Sequence, residues 1–223
     1  HNEIDDCRAT AFRVTRVDRI AQHFRIFDTD TLATKCVGDF RMVHLDQINN
    51  LVDVDHLKKG NWGFFHELGH NHQKGDWTFA GTTEVTCNLF SLYVFDKLCQ
   101  TPPQNHERGS KEFRLKKMAL MNFEKPDFEK WKSDPFLALV MYVQIQQEFG
   151  WEPYRKVLRE YLALKKNERP KTEMEKRDQW MVRLSRAVGK NLGPFFQKWG
   201  VPTSEKAQKS IESLPVWMSP DFR

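Results

Sequence analysis

No stretch of this 223-residue chain approaches the roughly 18 consecutive apolar residues that a membrane-spanning helix needs, which excludes such a segment within these residues. The opening residues carry no apolar signal-peptide core either. His1 is followed by polar and acidic positions (Asn2, Glu3, Asp5, Asp6), so the chain reads as a mature product, an excised domain or a fragment, with its compartment left open. Cysteine is scarce: four residues fall far below the density of a disulfide scaffold. Cys87 and Cys99 are expected on one helix, about 18 Å apart along its axis and therefore too far apart to bond each other. Cys7 with Cys36 is the one pair left to entertain. Glycine (11) and proline (10) are at ordinary levels, which excludes collagen-like and low-complexity readings. Nor does one sign of charge dominate: 35 Lys and Arg against 30 Asp and Glu leave a net charge of +5. The signs are interspersed, as in Glu173-Met174-Glu175-Lys176-Arg177-Asp178, the pattern of a solvated helix face. The basic clusters at 114–117 and 165–166 are short and accompany no recognition motif, so nucleic acid is not an expected partner.

What is present in quantity is bulky core material, 17 Phe and 7 Trp, in a length that suits one domain or two small lobes around a cleft. Residues 1–58 hold short alternating or β-branched runs (11–17, 24–27, 40–45) that read as strands, with helix possible over 16–24. Gly60-Asn61 then opens a helical pattern running to about Gln73, with Asn61 as its cap. Residues 74–81 read as a loop, and Thr82 or Thr83 caps a second helix whose apolar stripe is Val85, Leu89, Leu92, Phe95 and Cys99. Pro102-Pro103 ends it. From Asp134 onward the texture is helical, with segments expected over 136–149, 153–164, 171–188, 193–199 and 204–214.

One motif carries chemistry: His66-Glu67-Leu68-Gly69-His70, an H-E-x-x-H pattern inside the first helical segment. Residues four apart on a helix are about 40° apart around its axis, so both imidazoles leave one face and can grip one metal ion, for which zinc is expected. Glu67 is turned about 100° from His66 and can reach a water without becoming a ligand. A third ligand is needed. Glu84 follows His70 after an interval of thirteen residues, enough to leave one helix, turn and begin an antiparallel second one facing the metal. Two histidines and a glutamate would leave a coordination position open, as catalytic zinc sites do. The rival is Asp76, six residues after His70, but the metzincin-type pattern needs Gly at position 73, which here is Gln. Asn88, one turn after Glu84, is positioned to accept a hydrogen bond from a ligand histidine. His72 points about 200° away from His70 and reads as a surface or outer-sphere histidine. Trp77 and Phe79, in the intervening loop, could line a substrate groove or be buried against that loop. Cys87 and Cys99 read as core residues, and no tyrosine is singled out to stabilise an oxyanion.

The run Trp62 to Gln73 (WGFFHELGHNHQ) followed by Trp77 to Phe90 (WTFAGTTEVTCNLF) resembles the enhancin-like metallopeptidases, the sixtieth metallopeptidase family. The segments QQEFGWEP (146–153), KNLGPFF (190–196) and LPVW (214–217) are similar to the same domain in the animal TRP-melastatin channel-associated factors. The resemblance covers most of residues 60–217; residues 1–58 carry none. It implies a mostly helical α+β, gluzincin-like metallopeptidase with a small mixed N-terminal lobe (1–58), zinc-ligand helices (59–100) and a helical C-terminal lobe (101–223), cut from a longer protein. It also implies a zinc-dependent endopeptidase acting on O-glycosylated, mucin-type proteins, extracellular or associated with the plasma membrane. The alternative is a regulatory partner of a membrane channel that keeps a peptidase-like domain without using its site.

Overall fold

The structure, a computed structural model, describes residues 54–222. The strand-like runs expected over 11–17, 24–27 and 40–45, the helix over 16–24 and the Cys7–Cys36 pair all lie outside these residues. The chain divides into two compact units, His1–Phe64 and Phe65–Arg223. The described part of the first unit begins with α1 (Val54–Lys59), so 54–58 are helical where the strand-containing segment was expected to continue. Asn61 caps α2 (Trp62–Asn71) as its side chain allows, its Oδ1 accepting the Phe64 N–H at 3.0 Å.

The described residues of the second unit hold helices and no strand, with one isolated parallel bridge between Asn191 and Val216. Its central element follows from composition. Residues 137–146 of α6 (Pro135–Phe149) are all buried, because a helix that is apolar around its whole circumference has no face to offer to water. Asp134 starts it by accepting the N–H groups of Phe136 and Leu137, Pro135 supplies the first helical φ, and Gly150 at φ 73° ends it. Against α6 pack α3 (Thr83–Lys97), α4 (Lys111–Met118) and α5 (Phe128–Ser133). A second group is built on α8 (Glu173–Val188), which packs against α7 (Glu152–Leu162), α9 (Gly193–Lys198) and α10 (Glu205–Lys209).

The helices read from the sequence beyond residue 134 are all present, with ends shifted by a few residues; the last is the exception, since only 205–209 of the expected 204–214 is helix. The helices α4 and α5 carry no apolar periodicity that marks them in the sequence. Their exposed faces are dominated by charge, and Arg114 is one of the residues that α4 buries. Thr82 stands at the start of α3 but does not cap it: its hydroxyl turns back and donates to the Phe79 carbonyl at 2.6 Å. Cys99 lies beyond the end of α3, and neither it nor Cys87 is in a disulfide.

Candidate metal centre

Two helices build the site. α2 presents His66 and His70 one turn apart, and α3 presents Glu84 from its first turn. They can meet because Gly69 lets the two backbones touch: a Cβ at this position would lie 2.6 Å from the Cys87 carbonyl oxygen and 2.8 Å from its Cα. The loop between them is pinned from the other side. Trp77 is buried against Tyr161, with ring centroids 5.6 Å apart, and Phe79 stacks on Trp131 at 6.2 Å. Glu173 accepts the Ala80 N–H at 2.5 Å. Trp77 is therefore a plug of the loop and not part of an open groove, because an indole with 1% of its surface exposed presents no face to a substrate.

The ligand atoms converge. Nε2 of His66 and Nε2 of His70 lie 3.1 Å apart, and Oε2 of Glu84 is 3.1 Å from the first and 3.5 Å from the second. Behind each imidazole stands a carboxamide. Asn88 Oδ1 is 2.7 Å from Nδ1 of His66, and Gln73 Oε1 is 2.9 Å from Nδ1 of His70. Neither amide is free to flip, since Asn88 Nδ2 donates to the Glu84 carbonyl at 2.5 Å and Gln73 Nε2 to the Thr83 carbonyl at 2.5 Å. The oxygens must then face the rings, so each Nδ1 carries a hydrogen, and in the neutral imidazole Nε2 is the lone pair that can bind a metal.

Two bare nitrogens and a carboxylate oxygen at such separations repel one another unless a cation lies between them. A tetrahedral zinc bound at 2.0–2.1 Å would set its ligand atoms about 3.3 Å apart, which is the spacing found here. The donor set thus fits zinc. Glu84 keeps 51% of its side-chain surface exposed, so the cluster opens to solvent on one side. Glu67 is exposed on the same helix and belongs to none of the three converging edges.

Among the described residues, Cys87 is the remaining member of the cluster, its Sγ 3.6 Å from Nδ1 of His66. Burial, reinforced by the Glu84 charge, pushes this thiol up to about 12, and it lies against the flank of His66. Asp76 is not part of the cluster; it pairs with Arg169 at 3.3 Å. His72 corrects the surface reading. It is buried against the ring of Phe90, and desolvation lowers its pKa to about 4. Gln73 is a site residue that the sequence pattern marks only by the absence of a glycine. The available signal was its position three residues after His70, within helical reach.

A sequence model of the family described as peptidase M60, enhancin and enhancin-like matches residues 12–200. The TRPM8 channel-associated factor 3 of Mus musculus is 39% identical over 160 residues, which is 71% of this chain and 17% of that protein. The TRPM8 channel-associated factor 2 of Homo sapiens is 37% identical over 182 residues, 79% of this chain and 19% of that protein. The chain therefore spans less than a fifth of the length of these curated relatives. Among solved structures, a functionally unknown conserved protein from Bacillus anthracis str. Ames matches with a TM-score of 0.65 and 30% identity, over 78% of this chain and 35% of that one.

Proposed function

The chain belongs to the peptidase M60, enhancin and enhancin-like family, and on that premise we propose that it is the catalytic domain of a zinc-dependent endopeptidase of gluzincin type. The substrates proposed are O-glycosylated, mucin-type proteins at the cell surface or outside the cell. In this reading, residues 59–100 carry the ligand helices and 101–223 form the helical lobe that backs them. The observation that carries it is the convergence of His66, His70 and Glu84, with both Nδ1 atoms already committed to amide oxygens.

His66, His70 and Glu84 would hold the zinc, which when bound acidifies a water and polarises the scissile carbonyl. Glu67 accepts the proton of the attacking water and returns it to the departing amine, so one carboxylate carries the proton from nucleophile to leaving group. Asn88 keeps the His66 imidazole from turning as charge develops. The half-exposed carboxylate of Glu84 is consistent with a bulky glycopeptide approaching from that side.

The test is zinc content together with cleavage of an O-glycosylated mucin, with and without chelator, for wild type and Glu67→Gln. Expected are one zinc per chain in both proteins, chelator-sensitive cleavage in wild type, and a loss of about 10²-fold or more in the variant. A Glu67→Gln protein cutting at the wild-type rate would remove Glu67 from its role. A second reading, a regulatory module of a membrane channel, draws on the names of the curated relatives, TRPM8 channel-associated factors. Full zinc occupancy without cleavage of any glycoprotein would favour it.

A further inference from the structure

Gln73 lies just beyond the last residue of α2, where its backbone N–H still bonds the His70 carbonyl at 3.1 Å. Its carboxamide is used on every side. The oxygen accepts from Nδ1 of His70, while the two amide hydrogens face the Thr83 carbonyl and the Thr86 hydroxyl oxygen, each at 2.5 Å. Thr86 can accept because its own hydrogen turns to the Thr82 carbonyl at 3.5 Å.

We propose that Gln73 is a positioning residue of the metal site: one side chain holds the His70 ring with Nε2 bare and ties the end of α2 to the first turn of α3, the turn that carries Glu84. The inference rests on the reading of His66, His70 and Glu84 as zinc ligands. Its physical basis is the division of labour between the two carboxamides. Asn88 bonds the Glu84 carbonyl within its own helix, so it orients His66 from a fixed point on α3. Gln73 reaches across the gap between helices, bonding residues on both sides of Glu84 in sequence, Thr83 and Thr86. With Gln73 gone, the His70 ring loses the acceptor that selects its tautomer, and the Nδ1–H and Nε2–H forms compete. The first turn of α3 also loses two bonds that hold Glu84 at 3.5 Å from His70.

The experiment compares wild type with Gln73→Met, which keeps length without polarity, and Gln73→Glu, which keeps an acceptor for Nδ1 but has no donor for α3. Two readouts are taken: the zinc dissociation constant by chelator competition, and the tautomers of His66 and His70 in the metal-free protein by two-bond ¹H–¹⁵N NMR. Gln73→Met should weaken zinc binding by about 10- to 100-fold and turn His70 from a single Nδ1–H tautomer into a mixture, while His66 keeps its own. Gln73→Glu should restore the single tautomer and bind zinc more tightly than Gln73→Met; a purely structural role would not produce this rescue. If Gln73→Met fails to fold, the tautomer and affinity of Gln73→Glu against wild type carry the test, and a mixed His70 tautomer there overturns the proposal. Zinc binding within two-fold of wild type and an unchanged His70 in Gln73→Met would also overturn it. A wild-type chain that binds no zinc sinks the ligand reading instead, and the two failures are thus distinct.

Discussion

At the scale of single residues, the chain brings two histidines to a shared, part-exposed point and seals others away. His66 and His70 are part-buried and have their Nδ1 hydrogens committed, whereas His72 and His106 are packed against phenylalanine rings, His106 with its centroid 4.4 Å from that of Phe95. Nδ1 of His106 accepts the Arg108 N–H at 3.1 Å, and burial holds its pKa below the usual 6.5. The same cause takes His72 to about 4. Both groups would take up protons in the unfolded chain near pH 6.5 and resist doing so in the fold. The unfolded state then binds more protons just below that pH, and stability, fully present above pH 6.5, declines as pH falls toward the folded values. The slope is bounded by about 1.4 kcal/mol per pH unit for each group. His106→Asn preserves an acceptor for the Arg108 N–H and does not titrate, so its urea-unfolding free energy should fall less steeply from pH 6.5 to pH 5 than that of the wild type. Equal slopes would show that His106 is not a source of the acid sensitivity.

The element scale turns on one contact. The sequence placed H-E-x-x-H and Glu84 on two helices because the 3.6-residue period and the intervening turn residues are local, and His66, His70, Glu84 and Asn88 all follow from that period. It did not reveal that α2 and α3 touch backbone to backbone at Gly69 and Cys87, since nothing local to Gly69 distinguishes a packing glycine from any other. Gly69→Ala should therefore strike stability and site together. The added methyl would meet the Cys87 backbone at 2.6 Å, which no rotamer change relieves. A cost of about 1–3 kcal/mol is expected from the denaturant midpoint. Zinc affinity should fall as well, because the helices must separate by a few tenths of an ångström or more. A variant that loses stability but binds zinc with unchanged affinity would mean that the site tolerates a wider helix gap. The helices α4 and α5 were illegible for a related reason. The stripe of α4 includes Arg114, and an arginine reads as solvent-facing until its partner is known.

That partner belongs to the whole molecule. Asp221, 107 residues away, receives Nε and Nη2 of Arg114 at 2.7 and 3.1 Å, and Gln144 of α6 adds a bond at 3.1 Å. The Arg114 and Asp221 side chains are only 6% and 8% exposed. Removing one partner of a buried pair leaves a charge with neither water nor counter-ion, so Asp221→Ala should cost about 3–5 kcal/mol in a urea titration. A cost below about 1 kcal/mol would mean that water reaches Arg114 freely. Such pairs join distant stretches around α6, whose burial on all sides was legible from composition alone. By itself the sequence determined what depends on neighbours along the chain: the helical texture beyond residue 134, the two imidazoles on one helix face, and the acidic and amide residues one turn apart on the next. The tertiary structure alone decided what depends on contacts across it. It made Trp77 a plug, sealed His72 inside, laid Cys87 against the flank of His66 and set Gln73 behind His70. The physical reason is that side-chain direction repeats with the helix period, whereas desolvation and pairing are set by whichever segment the fold brings alongside.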